Sequence, residues 1–195
     1  MIAPAYDLAI ERFLHKARRH SLSYLQNTAP GETLLSGVGT GLDLPLLPLQ
    51  HHYTALDFNA AMLSRARLRG DKLRSKGLQV EWVLGDSMAL PFTDARFDHV
   101  VLHLILAIVP RSELCLSEAA RVLRPGGTII ILDKFLLPNK LALLRRALTP
   151  LSRRIATRMD VVFEEVLFEV PQLQIVSDQP LLAGGWFRGI VLQKR

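Results

Sequence analysis

Short apolar runs alternate along most of the chain with stretches that space their apolar residues three and four positions apart. Five such runs cover residues 33–36, 53–56, 79–84, 99–104 and 128–132. Gly, Asp or Pro bounds each run, as expected of strands, and the stretches between them have helical periodicity. This alternation predicts βαβ units, whose right-handed crossovers give a doubly wound, mostly parallel α/β sheet.

The two ends of the chain have patterns of their own. Residues 4–26 mix apolar and basic positions at helical spacing, which predicts an amphipathic helix ending before Pro30-Gly31. Residues 173–195 hold two apolar runs separated by Pro180 and Gly184-Gly185, which predicts an antiparallel hairpin. Five strands and a hairpin make a seven-stranded sheet. We expect a single domain over 1–195, with 1–29 as a helical cover.

Composition narrows the class of protein. With 195 residues and 49% hydrophobic content, the chain can bury one continuous core. Cys115 is the only cysteine, so we expect neither a disulfide framework nor a structural metal site. The first 18 residues contain no continuous apolar segment, and the longest apolar stretch is too short for a bilayer, so we expect a cytoplasmic protein. A net charge of +6 favours anionic partners such as nucleic acid or acidic lipid headgroups.

A glycine loop, Gly37-Val38-Gly39-Thr40-Gly41, follows the first apolar run and precedes a predicted helix start at Leu42-Asp43. In this context glycines let the backbone approach a ligand closely. A dinucleotide-binding loop would place its third glycine at position 42, where this chain has leucine. The spacing suits S-adenosylmethionine instead, because that cofactor has no pyrophosphate.

Two carboxylates follow the next two strands. Asp57 ends the second run, where its oxygens can accept hydrogen bonds from both hydroxyls of a ribose. Asp86 ends the third run and can accept an adenine amino proton. Each has an ordinary alternative: Asp57 as the N-cap of a helix beginning near residue 59, and Asp86 as part of a solvated turn.

Five segments in order resemble the motifs of class I S-adenosylmethionine-dependent methyltransferases. The resemblance is to the branch that contains ubiquinone/menaquinone methyltransferases and bacterial phosphatidylethanolamine N-methyltransferases. The segments are LLSGVGTG at 34–41, ALDFNAAML at 55–63, GDSMALPF at 85–92, RFD at 96–98 and RVLRPGG at 121–127. The resemblance implies the Rossmann-like methyltransferase fold and S-adenosylmethionine as cofactor.

The resemblance also implies cofactor contacts position by position. Asp57 would bind the ribose hydroxyls and Asp86 the adenine amino group, with Phe58 and Met88 on either side of the adenine. Tyr6 would cover the cofactor carboxylate. The full implied set is Tyr6, Gly37, Val38, Gly39, Gly41, Asp57, Phe58, Asp86, Ser87, Met88, Leu102 and His103.

One position departs from the family pattern. The family usually places an acidic residue two positions before the first motif glycine, and this chain has Leu35. The methionine ammonium of the cofactor then lacks its customary charge partner, although a buried ammonium needs some acceptor.

The methyl acceptor is harder to identify, because an activated methyl needs alignment more than a catalytic side chain. His103, beside the expected transfer site, is either a proton acceptor or a histidine with its hydrogen bonds satisfied. Asp133 and Lys134 at the fifth strand either touch the acceptor or form a surface pair. The fourth strand lacks the Asn/Asp-Pro-Pro-aromatic turn associated with methylation of base amines.

Residues 138–160 form a basic insertion that indicates an amphiphilic acceptor. Four arginines at 145, 146, 153 and 154 accompany leucine and isoleucine at helical spacing, and no acid interrupts the segment's basic stretch. Such a helix either contacts an anionic membrane or an apolar acceptor, or packs on the domain. We expect N-methylation of an ethanolamine phospholipid. The alternatives are C- or O-methylation of a quinone or other small molecule, and a nucleic-acid-binding role for the basic stretch 65–76.

Overall fold

The computed structural model describes residues 3–135 and 161–195, with side chains from residue 14 onward except Ala183. Within these ranges the helices are α1 (Ala3–Gln26), α2 (Ala60–Arg74), α3 (Ser112–Val122) and α4 (Phe163–Phe168). The strands are β1 (Glu32–Ser36), β2 (His52–Asp57), β3 (Val80–Leu84), β4 (Phe97–His103), β5 (Leu123–Lys134), β6 (Leu173–Leu182) and β7 (Phe187–Lys194).

The strands form one seven-stranded sheet in the order β3-β2-β1-β4-β5-β7-β6. The first five are parallel, whereas β7 runs antiparallel to both β5 and β6. The predicted doubly wound sheet with a C-terminal antiparallel hairpin is therefore confirmed. Because the five parallel strands end at one edge, the glycine loop and the residues that close β2, β3 and β4 meet there.

Each face of the sheet is buried by different helices. One face carries Leu34, Val100 and Ile131 and packs against α3 and α4. The opposite face carries Leu35 and Val101 and packs against α1. Successive residues of a strand point to opposite faces of the sheet. Because both faces are buried, the apolar runs of the central strands are nearly continuous.

The helix predicted to begin at Leu42-Asp43 is not formed; this prediction is wrong. A single 3₁₀ turn, Leu44–Leu46, takes its place. Pro45 suits the first turn of a helix, but Leu47 is extended at φ −73° and ψ 136°, because Pro48 disfavours helical backbone at the preceding residue. The chain consequently runs from the glycine loop to β2 without a full helix.

Two further expectations concern the basic insertion and membrane-spanning segments. The basic insertion 138–160 lies outside the described residues. No helix within residues 3–135 and 161–195 combines the length and the apolar content that a bilayer crossing needs.

A histidine pair lies where the strands begin, away from the glycine loop. The rings of His51 and His99 meet edge to face, with centroids 5.4 Å apart. Nε2 of His51 lies 3.0 Å from the Leu25 carbonyl oxygen. The Nδ1 atoms of both rings are buried without hydrogen-bond partners among the described residues. Protonation there would bury a charge, so burial, followed by the neighbouring His51, lowers the pKa of His99 while Asp98 raises it.

The buried His99 makes stability depend on pH. Because the pKa of His99 is lowered on folding, the unfolded chain binds the proton first, and the stabilisation is lost as pH falls from above 6.5 towards the lowered value. Asp133, whose pKa is raised from 3.8 to about 6, acts in the opposite direction as pH falls through 6, and it does so equally in wild type and variant. We therefore expect His99→Gln to lose less unfolding free energy than wild type between pH 8 and pH 5.5, measured by urea denaturation. Equal losses would contradict this expectation.

Candidate functional site

The glycine loop is fastened to the end of β2. The backbone N–H groups of Gly37 and Val38 both donate to the Leu56 carbonyl oxygen at 2.9 Å. Gly39 N–H donates to Oδ2 of Asp57 at 2.7 Å. A Cβ atom placed on Gly39 would meet nothing within 4 Å, so the loop faces open space at this point. The arrangement is a preformed cradle with a carboxylate at its rim.

Asp57 does not cap helix α2. That helix is capped by Asn59, whose side-chain oxygen accepts from Ala61 N–H and Met62 N–H. Asp57 instead accepts from Asn59 N–H through Oδ1 at 2.9 Å and from Gly39 N–H through Oδ2. A carboxylate accepts about four hydrogen bonds, so about two acceptor positions remain for hydroxyl groups. The N-cap alternative is wrong for this residue.

The loop after β3 offers a second fixed carboxylate. Oδ1 of Asp86 accepts from Met88 N–H at 2.8 Å, which holds the turn. Ser36 on β1 donates to the buried Ser87 hydroxyl at 2.8 Å, tying this turn to the start of the glycine loop. Among the described residues, Oδ2 of Asp86 has no hydrogen-bond donor, and it remains able to accept one.

Phe58, directly after Asp57, supplies an exposed apolar surface. Its side chain is 78% exposed, although it directly follows a buried strand. Met88, on the neighbouring turn, is half-buried. An adenosyl group needs acceptors for its ribose hydroxyls and amino group, an apolar surface for its ring and room above the loop backbone. The described residues provide each of these, so the sheet edge fits S-adenosylmethionine.

The end of β4 contributes a buried histidine. His103 lies 3.1 Å from Oδ2 of Asp43 through Nδ1, and 3.0 Å from the Ser21 hydroxyl through Nε2. Both ring nitrogens are engaged, so this arrangement leaves neither free to take a proton from an acceptor. Leu102 buries its side chain completely, so only its backbone could face a ligand.

Arg18 of α1 completes a network that the sequence did not reveal. Its Nη1 lies 2.6 Å from Oδ1 of Asp43, and both side chains are about nine-tenths buried. Burial by itself would raise the pKa of Asp43, but the charges of His103 and Arg18 and their hydrogen bonds hold it well below its usual range. Asp43 is therefore a buried anion that joins α1 to the glycine loop and to the end of β4.

Asp133 closes β5 as a buried acid and is not part of a surface pair. Its Oδ2 accepts from Ala107 N–H at 3.0 Å and its Oδ1 from Lys134 N–H at 2.8 Å. Burial raises the pKa of Asp133 to about 6, and the backbone N–H groups partly offset the rise. Leu104, with a φ of 58°, donates to the Leu132 carbonyl oxygen at 2.7 Å. The strained exit from β4 is thus held against β5.

Other features lie away from the glycine loop and the residues that close the parallel strands. Tyr6 belongs to α1, but its side chain falls outside those that the structure describes. The described residues bring together no group of three side chains able to hold a metal ion. An open groove of about 620 Å³ between α2 and β3 includes Arg67, Asp71 and Trp82. It also includes residues at the starts of strands, so it is not the ligand site expected at the carboxyl ends of a parallel sheet.

Sequence comparisons agree with the geometry. A family model described as a methyltransferase domain matches residues 34–131. The phosphatidylethanolamine N-methyltransferase of Cereibacter sphaeroides is 34% identical over 193 residues, covering 97% of this chain and 93% of that protein. The ubiquinone/menaquinone biosynthesis C-methyltransferase of Roseobacter denitrificans is 32% identical over 145 residues, covering 71% of this chain and 58% of that protein. The chain thus spans less than two thirds of the quinone relative's length.

Solved structures share the fold at lower identity. A chain from a complex with the Haloferax volcanii Trm112 methyltransferase activator superposes with a TM-score of 0.76 at 19% identity, covering 98% of this chain and 95% of that chain. The [4+2]-cyclase SpnF superposes with a TM-score of 0.66 at 15% identity, covering 91% of this chain and 81% of that chain. One fold serves different reactions here, so the activity has to be argued from the site and from sequence relatives.

Proposed function

The chain belongs to the methyltransferase domain family and is an S-adenosylmethionine-dependent methyltransferase, and we propose that it N-methylates an ethanolamine phospholipid. The observation that carries this proposal is the extent of the match to the phosphatidylethanolamine enzyme, which spans 97% of this chain and 93% of that protein. The match to the quinone enzyme covers only 58% of that relative. Family membership supports S-adenosylmethionine as methyl donor, and the match over most of both chains supports the lipid acceptor.

In this proposal the protein acts mainly by holding and orienting the reactants. S-adenosylmethionine, when bound, supplies a methyl group already activated by its sulfonium. Asp57, Asp86 and the glycine loop would hold the adenosyl half. Asp133 accepts a hydrogen bond from Ala107 N–H at 3.0 Å and so helps to fix the segment that leaves β4, beside which the acceptor would lie. Holding donor and acceptor in a fixed orientation makes the bimolecular methyl transfer effectively unimolecular.

The basic insertion 138–160 is proposed to bring the enzyme to its lipid. The five arginines of this segment and the net charge of +6 favour contact with anionic headgroups. Peripheral contact of this kind would present an ethanolamine headgroup to the sheet edge without a membrane-spanning segment.

Vesicle assays test the acceptor directly. We expect transfer of labelled methyl groups to vesicles of phosphatidylethanolamine and phosphatidylglycerol, with monomethylated lipid identified by mass spectrometry. Transfer should fall when phosphatidylcholine replaces phosphatidylglycerol, and fall again as salt is raised, because attraction to the anionic surface is screened. Protein omitted from the reaction is the negative control, and Asp57→Ala protein should transfer less at cofactor concentrations near the wild-type Kd. Absence of labelled lipid, from protein shown to bind S-adenosylhomocysteine, would remove the ethanolamine acceptor.

Two alternatives are decided by added arms of the same experiment. A demethylated quinone in the vesicles tests C- or O-methylation, which the 32% identity to the quinone enzyme keeps as the second candidate. RNA tests the nucleic-acid role suggested by the basic residues of α2. Arg65, Arg67, Lys72 and Arg74 are exposed on several sides of that helix, which favours a solvated surface over a binding stripe.

A further inference from the structure

The position that carries the family's acid is apolar in both sequence and structure. Leu35 is 3% exposed and packs in the core that includes Leu22 and Leu25 of α1. A carboxylate at this position would be surrounded by hydrocarbon, without a charge to neutralise it. The amino-acid end of the cofactor must therefore be recognised by other groups.

A pair of opposite charges lies close by, at the far end of the glycine loop. Asp43 is two residues beyond Gly41 and contacts His103 at the end of β4, the strand next to β1. Arg18 contacts the same carboxylate at 2.6 Å. About a tenth of each charged side chain stays exposed, and Nε of Arg18 is buried without a hydrogen-bond partner among the described residues.

We propose that the Arg18–Asp43 ion pair recognises the amino-acid end of S-adenosylmethionine and replaces the acid that β1 lacks. This end of the cofactor is a zwitterion, with an ammonium and a carboxylate on one carbon atom. A fixed pair of opposite charges suits it better than a single charge. His103 acts as a positioning residue, because its Nδ1 contacts the Asp43 carboxylate, and Ser21 in turn holds the His103 ring through Nε2.

Strand order places this pair at the correct end of the cofactor. Asp57 and Asp86 follow β2 and β3, which lie on one side of β1. The Arg18–Asp43 pair contacts β4, which lies on the other side. If the adenosine half lies over β2 and β3, the cofactor's other half extends over β1 and β4, towards this pair.

Calorimetry with two ligands isolates the contribution of the pair. S-adenosylhomocysteine has the amino-acid end, whereas 5′-methylthioadenosine has the same thioether nucleoside without it. We expect Asp43→Asn to weaken S-adenosylhomocysteine binding by roughly ten- to a hundredfold, the size of a lost interaction with a charged group. Binding of 5′-methylthioadenosine should stay within about twofold of wild type.

Control variants separate this role from a structural one. Asp57→Ala should weaken both ligands, and Asp71→Asn, on the exposed face of α2, should change neither. If Asp43→Asn leaves Arg18 unpaired and the protein unfolds, Arg18→Met/Asp43→Asn removes both charges and should give the same difference between the ligands. Equal effects on both ligands, or none on either, would overturn the proposal. Wild-type protein that bound neither ligand would overturn the cofactor assignment with it.

Discussion

Replacing Asp57 by alanine is expected to weaken S-adenosylmethionine binding by about 1.5–3 kcal/mol, because the carboxylate would hold ribose hydroxyls through charged hydrogen bonds. The same carboxylate accepts a hydrogen bond from Gly39 N–H at 2.7 Å, so its loss also removes one of the hydrogen bonds that hold the glycine loop. Titration calorimetry with S-adenosylhomocysteine measures the change, which corresponds to about a ten- to a hundredfold higher Kd.

Asp71→Ala is the matched control for this variant. Asp71 lies exposed on α2, so its removal changes the net charge equally without touching the loop. Thermal unfolding of both variants separates lost affinity from lost folding. An affinity of Asp57→Ala equal to that of the control would show that Asp57 serves only the backbone around β2.

Replacing Gly41 by alanine is expected to lower the free energy of unfolding by about 2–5 kcal/mol, combining left-handed strain with overpacking. Gly41 has a φ of 78°, and an added Cβ would lie 2.7 Å from Cδ1 of Leu44 and 3.0 Å from Cα of Ala66. Leu44 can rotate away, but Ala66 Cα belongs to the backbone of α2. Urea denaturation measures the loss.

Gly39→Ala is the informative partner of that variant. Gly39 also has a positive φ, of 57°, but its Cβ would enter open space, so the expected stability loss is only about 1–2 kcal/mol. That open space is where we place the ligand. Gly39→Ala should therefore weaken cofactor binding strongly although it lowers the free energy of unfolding only slightly. Identical behaviour of the two variants in both measurements would contradict this placement.

The fold was predictable because each parallel strand is an apolar run that is closed by a recognisable polar or glycine residue. The apolar runs placed five strands, and the residues that terminate them placed Asp57 and Asp86 at one edge. The helix after the glycine loop was predicted wrongly because the periodicity outweighed Pro45 and Pro48, which allow a turn and then force extended backbone.

The buried polar residues were harder to predict, for two reasons. Arg18 and His103 lie 25 and 60 residues from Asp43, and no local pattern pairs them. The burial of Asp133 could have been predicted from the sequence. It lies two and four positions after Ile131 and Ile129 in β5, so its side chain is on the same buried face. Its position beside Lys134 favoured a surface pair and hid that signal.

The place of β7 between β5 and β6 has a consequence for synthesis on the ribosome. Although β6 is translated first, it has no partner in the sheet until β7 follows, and β5 keeps an unpaired edge for the same interval. Until β7 emerges, the nascent polypeptide therefore exposes unpaired backbone edges on β5 and β6, which can pair with other chains. The sheet can therefore be completed only after β7 has left the ribosome, whatever part of the sheet has folded before it.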